Sequence, residues 1–276
     1  MKINYDEGMD REYQKIAKKV RQEILEMIYR TKGPHIGSSF SMVELLVALY
    51  FKVLRIDPQE PHDPQRDRFI LSKGHGCPGF YPVLFERGFF GQKVLDGFAI
   101  DGGTLEGHPT KNVSWGIETT TGSVGHGLSL ASGMALAAKY DKANYRVFTI
   151  LGDGELDEGS NWEAMMFASH HKLDNLVAIV DYNKLQIMGT TSEVMNLEPL
   201  SEKWRSFGWE VKEIDGHNFQ EIFPVLEHIP FKKDKPSCII AHTVKGKGVS
   251  FMENQLRWHD KYPDEEEYKR AKAELS

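Results

Sequence analysis

Apolar positions recur along the chain in two rhythms. Between residues 10 and 31 they fall three or four apart, at Tyr13, Ile16, Val20, Ile24 and Met27, which puts them on one face of a helix. Further helices are expected over 41–54, 78–87, 124–140, 158–171, 199–207 and 218–228. The first of these opens on Ser41-Met-Val-Glu44, the spacing of a capping box. Between the helices lie short apolar runs at 68–72, 146–151, 176–181, 209–214 and 237–242. Strands alternating with helices predict an α/β fold with a mostly parallel sheet covered on both faces. The tail 264–275 pairs Glu265 with Lys269 and Glu266 with Arg270 at i,i+4, the pattern of a solvated surface helix.

Composition narrows the class. The length suits one large α/β domain, residues 1–276, and 40% apolar residues allow a sizeable core. A net charge of −6 without a long basic run argues against nucleic-acid binding. Cys77 and Cys238 form no spacing motif, so neither a disulfide framework nor a zinc site is implied, and a reducing cytoplasm fits. No stretch approaches the roughly 18 apolar residues of a membrane span, and the N-terminus has no signal-peptide core.

The chemistry concentrates between Leu151 and Gly189. An apolar strand breaks at Gly152-Asp153-Gly154, a helix follows, and a second apolar strand ends in Asp181-Tyr182-Asn183. Such a crossover sets two parallel strands close together in one sheet. Ligands of open α/β sheets gather at the carboxyl edge. Asp153, the Asn183 amide oxygen and the Leu185 carbonyl offer hard oxygen donors, suited to Mg²⁺ and also to Ca²⁺ or Mn²⁺. Gly154 lets its backbone N–H approach a phosphate, and the helix that follows points its N-terminus at the same place.

Strand, Gly-Asp-Gly, helix, strand and Asn in this order resemble the thiamine diphosphate motif. Further stretches narrow the family: Lys32-Gly-Pro-His35-Ile-Gly-Ser38, Asp67 to Gly76 around His75, Glu106-Gly-His108-Pro, Thr119 to Gly127, Lys245-Gly-Lys-Gly and Trp258-His259. In that order they resemble the N-terminal part of a transketolase, from about residue 10 to 262. The resemblance implies that His35, His108 and His259 contact the sugar, and that His75 and His259 lie near the diphosphate. It implies that Gly122, Ser123 and Val124 cradle the aminopyrimidine, and that Lys245 and Ser38 reach the diphosphate. The acids matching Glu158 and Glu163 lie at a subunit interface in the family; their role here, and that of His126, stays open. Asp260 stands where a glycine is common.

A full transketolase has two further domains, and no match to them is found here. The resemblance therefore implies the N-terminal subunit of a split, two-chain enzyme, working as a heterotetramer with a chain carrying the pyrimidine-binding and C-terminal domains. With thiamine diphosphate and Mg²⁺ it would move a two-carbon ketol group from a ketose phosphate to an aldose phosphate. Phe89, Phe90 and Trp162 are candidates for the interface. Competing readings are a subunit related to 1-deoxyxylulose-5-phosphate synthase or to the α subunit of 2-oxo acid dehydrogenases, and a non-catalytic cofactor-binding subunit.

Overall fold

A computed structural model describes residues 7–276. Five strands, β1 (Arg68–Leu71), β2 (Val147–Gly152), β3 (Leu176–Tyr182), β4 (Glu210–Asp215) and β5 (Ser237–His242), form one sheet in the order β1-β2-β3-β5-β4. Every pairing is parallel. The strand expectations hold to within a residue at each end.

In β2, β3 and β5 the strands are buried almost end to end because both sheet faces are covered there, whereas β4 at the sheet edge exposes Lys212 and Glu213. Phe148 and Ile150 of β2 and Val177 and Ile179 of β3 enter one core; Val147, Leu151, Leu176 and Val180 enter the other. The first core is closed by α1 (Glu7–Thr31), α2 (Ile36–Phe40), α3 (Val43–Ala48), α4 (Cys77–Arg87) and α5 (Gln92–Asp96). The second is closed by α6 (Gly127–Tyr140) and α7 (Gly159–His170). The rest of the chain adds α8 (Thr191–Val194), α9 (Leu200–Ser206), α10 (Phe219–Glu227) and α11 (Glu265–Glu274). Val20, Ile24 and Met27 are buried, with Tyr13 and Ile16 packed beside them, as the spacing in α1 requires. Among the described residues no helix is long and apolar enough to cross a membrane.

Several expectations are corrected. No capping box forms at Ser41. Its hydroxyl donates to Asp181 at 2.6 Å, and Glu44 accepts from Arg21 at 2.7 Å, with a ring nitrogen of His217 at 2.9 Å. The helix expected over 41–54 is α3 followed by a π-helical turn, Leu49–Val53. The helix expected from 124 begins at Gly127, because Gly122 and Gly125 hold positive φ and keep that approach irregular. Phe89 and Phe90 are not an exposed interface: both are buried in the first core. Trp162 is half-buried, donating to the Leu156 carbonyl at 2.9 Å. In α11 the Glu265–Lys269 pair forms at 2.6 Å, whereas Arg270 lies over the Phe251 ring.

Candidate active site

Four strand ends converge on one edge of the sheet. β1 leads into Ser72-Lys73-Gly74-His75, β2 into Asp153-Gly154, β3 into Asn183 and Leu185, and β5 into Lys245. A cavity of about 500 Å³ opens there. It is lined by His35, Ser38, His75, His108, Gly122, Val124, Asp153, Gly154, Asn183, Leu185, Lys245 and His259. All the sequence-derived site residues thus line one cavity, except Ser123, which is exposed outside its lining. His126, Glu158 and Glu163 also lie outside it.

Asp153 is 2% exposed. Its carboxylate accepts from the Gly154 N–H at 2.8 Å and the Lys184 N–H at 2.5 Å. Burial, and then the neighbouring Asp181, push its pKa up to about 7. A carboxylate so placed is short of positive charge, which a divalent cation would supply. Asn183 Oδ1 accepts from the Leu185 N–H at 3.1 Å, which fixes the amide beside it. The helix after Gly-Asp-Gly does not begin at once: a 3-10 turn, Gly154–Asp157, precedes α7.

Two glycines leave room that a side chain would fill. A Cβ on Gly154 would lie 2.7 Å from Gln186 Cγ, and one on Gly122, at φ 149°, would lie 3.1 Å from the His108 ring. The lining therefore fits a diphosphate with its cation: oxygen ligands, close backbone approach, and two lysines. Lys245 is buried, its pKa lowered to about 8 by burial and then by Lys73.

The imidazoles form a cluster. The His35 ring centroid lies 5.2 Å from His75, 5.3 Å from His259 and 6.4 Å from His108. His35 occupies the left-handed region at φ 74°, a local strain of about 1–3 kcal/mol held by surrounding structure. Its N–H donates to the His259 carbonyl at 2.8 Å, tying two distant loops together. Burial, followed by nearby positive groups, lowers His35 to about 4, His259 to about 3 and His75 to about 2. These three rings are neutral near pH 7.

Three lining or supporting residues escaped the sequence reading. Lys73, 1% exposed, pairs with the fully buried Asp181 at 2.5 Å and donates to the Ser38 carbonyl at 3.0 Å. Asp181 is held below the ordinary carboxylate range: burial, the largest influence, would raise it, and Lys73 together with hydrogen bonds from Ser41 and Thr243 outweighs burial. Glu155 accepts from the Gly125 and Gly152 N–H groups, both at 3.0 Å, and from the Ser72 hydroxyl, joining three site segments. Lys73 sits two residues before His75 and Asp181 two before Asn183, but nothing in sequence announced their pairing. Ile187 and Met188 line the cavity and are 53% and 83% exposed; Leu130 on α6 and Met166 and Phe167 on α7 are also exposed apolar residues.

A family profile described as "Transketolase, thiamine diphosphate binding domain" matches residues 12–276. The chain belongs to the transketolase family. It is a transketolase subunit, of the class of enzymes that transfer ketol groups, and it carries the thiamine diphosphate-binding domain. It is 48% identical over 259 residues to the 6-deoxy-6-sulfo-D-fructose transketolase subunit SqwG of Clostridium sp., covering 94% of each chain. It is 46% identical over 260 residues to an apulose-4-phosphate transketolase subunit of Phocaeicola vulgatus, covering 94% of this chain and 92% of that one. The crystal structure of transketolase from Campylobacter jejuni superposes with a TM-score of 0.89 at 30% identity, over 95% of this chain and 42% of that one. The chain thus spans less than half the length of this solved transketolase, and nearly the whole length of the relatives named as subunits.

Proposed function

We propose that the chain, read as a single thiamine diphosphate-binding domain over residues 1–276, works with a second chain that carries the pyrimidine-binding and C-terminal domains. Together they transfer a two-carbon ketol group from a ketose phosphate to an aldose phosphate. One observation carries this reading: the cavity at the sheet edge gathers a buried carboxylate, a fixed amide, two lysines and four histidines. The near end-to-end alignment with chains named as transketolase subunits supports the two-chain form. The assembly is a heterotetramer of two copies each, located in the cytoplasm. The apolar rim of Val124, Ile187 and Met188 is the edge the second chain covers.

Asp153, Asn183 and the Leu185 carbonyl hold Mg²⁺, for which Ca²⁺ or Mn²⁺ can substitute. Ser38, His75, Gly154, Lys245 and His259 would hold the diphosphate, and Gly122 and Val124, with Ser123 beside them outside the lining, would bear on the rings. When bound, thiamine diphosphate supplies the electron sink for breaking a carbon–carbon bond. The chain's own residues bind and orient the sugar. Lys245 Nζ lies 2.9 Å from His259 Nδ1, so Nδ1 accepts and the proton of the neutral ring sits on Nε2. That N–H is a donor for an oxygen that gains negative charge. His108 acts beside it, and His35, neutral in its buried setting, orients a substrate hydroxyl.

The test is ketol transfer from xylulose 5-phosphate to ribose 5-phosphate, with thiamine diphosphate and Mg²⁺, for this chain alone and mixed with a candidate second chain. Activity confined to the mixture is expected. Activity of this chain alone would overturn the two-chain reading.

A further inference from the structure

Asp260 stands outside the cavity lining but brings a carboxylate beside two histidines that belong to it, His35 and His259. One of its oxygens, one ring nitrogen of His35 and one of His259 all lie within 4.8 Å of one another. Its side chain is exposed, and no hydrogen bond or ion pair engages it among the described residues. The two histidines are already fixed: the His35 N–H donates to the His259 carbonyl at 2.8 Å, and Lys245 stands 2.9 Å from His259 Nδ1.

Two kinds of guest suit two imidazoles and a carboxylate: a transition-metal cation, or a hydroxyl group. Lys245 decides between them. A metal-bound imidazole keeps a lone pair on the metal and turns its other N–H outward to an acceptor. Here one nitrogen of His259, Nδ1, already faces an ammonium, which can only donate. A second ammonium, Lys73, lines the same cavity. A hydroxyl needs one donor and one acceptor, and the free ring N–H of His259 and the carboxylate of Asp260 offer one of each.

We propose that Asp260 is a specificity-determining residue of the donor-sugar site, accepting a hydrogen bond from a hydroxyl of the ketose. This rests on the transketolase reading of the same cavity. The exposed carboxylate, which already acts on His35 and Lys245 through its charge, has an acceptor free for a hydroxyl of a polyhydroxylated donor, and it repels a donor with an anionic group in that place. It is not needed to hold the diphosphate, which lies with Asp153 and Lys245.

The experiment uses the two-chain enzyme with Asp260→Ala and Asp260→Asn in this chain, and varies xylulose 5-phosphate at saturating ribose 5-phosphate. Loss of a hydrogen bond to a charged group predicts a fall of ~10- to 100-fold in kcat/KM for Asp260→Ala, carried mainly by KM for the ketose. Asp260→Asn, which keeps an acceptor oxygen without the charge, falls between. The Kd for thiamine diphosphate stays at the wild-type value in both. An unchanged KM for the ketose in Asp260→Ala overturns the assignment, as does a loss matched by weaker thiamine diphosphate binding. One-to-one Zn²⁺ binding by this chain, in excess Mg²⁺, that Asp260→Ala abolishes without moving the ketose KM also overturns it, in favour of a cation site. An inactive wild-type complex is a separate result: it removes the transketolase reading, and this proposal with it.

Discussion

A lysine 2.9 Å away defines what His259 can do more firmly than the residues beside it in sequence. The same holds across the site. The histidines were legible because Gly and Pro mark the loops that carry them, and loops at strand ends are where chemistry gathers. Their protonation was not legible. It depends on burial and on Lys73, whose contact with Asp181 spans 108 residues. Glu155 was missed for the same reason: the Ser72 hydroxyl it accepts from comes from a loop 83 residues away. The account predicts that His108→Ala and His259→Ala each lower turnover in the two-chain enzyme by about 10²-fold, the loss typical of a missing donor to a developing oxyanion. Steady-state rates at saturating sugar measure this. Turnover at the wild-type level in both variants would remove these residues from the chemistry.

At the scale of elements, the apolar rhythm located every strand and most of the helices. It failed where too few turns exist to set a period, as in α2, α5 and α8, each of four or five residues. It also failed where a tertiary partner outbid a local one. Ser41 and Glu44 have capping-box spacing, yet Asp181 takes the hydroxyl, and Arg21 with His217 takes the carboxylate. Glu44 is buried, and burial alone would raise its pKa; Arg21 and then His217 outweigh burial and hold it at about 2. Arg21→Met would strand that carboxylate and should cost about 3–5 kcal/mol in urea unfolding. The sign of the pH effect follows. A carboxylate depressed by folding stabilises the fold above its unfolded value, and that stabilisation drains away as pH falls from 4.5 towards 2. Glu44→Gln should therefore show a shallower loss of stability over that interval. An equal slope in both proteins would mean the pair contributes nothing to acid unfolding.

At the scale of the molecule, the parallel sheet delivers four strand ends to one edge, and the placement of the candidate site residues follows from that topology. Fold and family were legible because motif order along the chain mirrors strand order at the edge. The proposed surface for a second chain was not: Phe89 and Phe90 fill the core instead, and the apolar residues exposed at the cavity are Ile187 and Met188. An aromatic residue's exposure is decided by what packs over it, which sequence alone does not record. The central claim is that this chain holds the diphosphate and metal side of a thiamine diphosphate site that a second chain completes. Calorimetric titration of thiamine diphosphate and of inorganic pyrophosphate, each with Mg²⁺, tests it directly. The account predicts that this chain alone binds the two within about tenfold, a difference of ~1.4 kcal/mol, that Asp153→Asn weakens both, and that a strong preference for thiamine diphosphate emerges only with the second chain present. A strong preference in this chain alone, or affinities indifferent to Asp153→Asn, would contradict it.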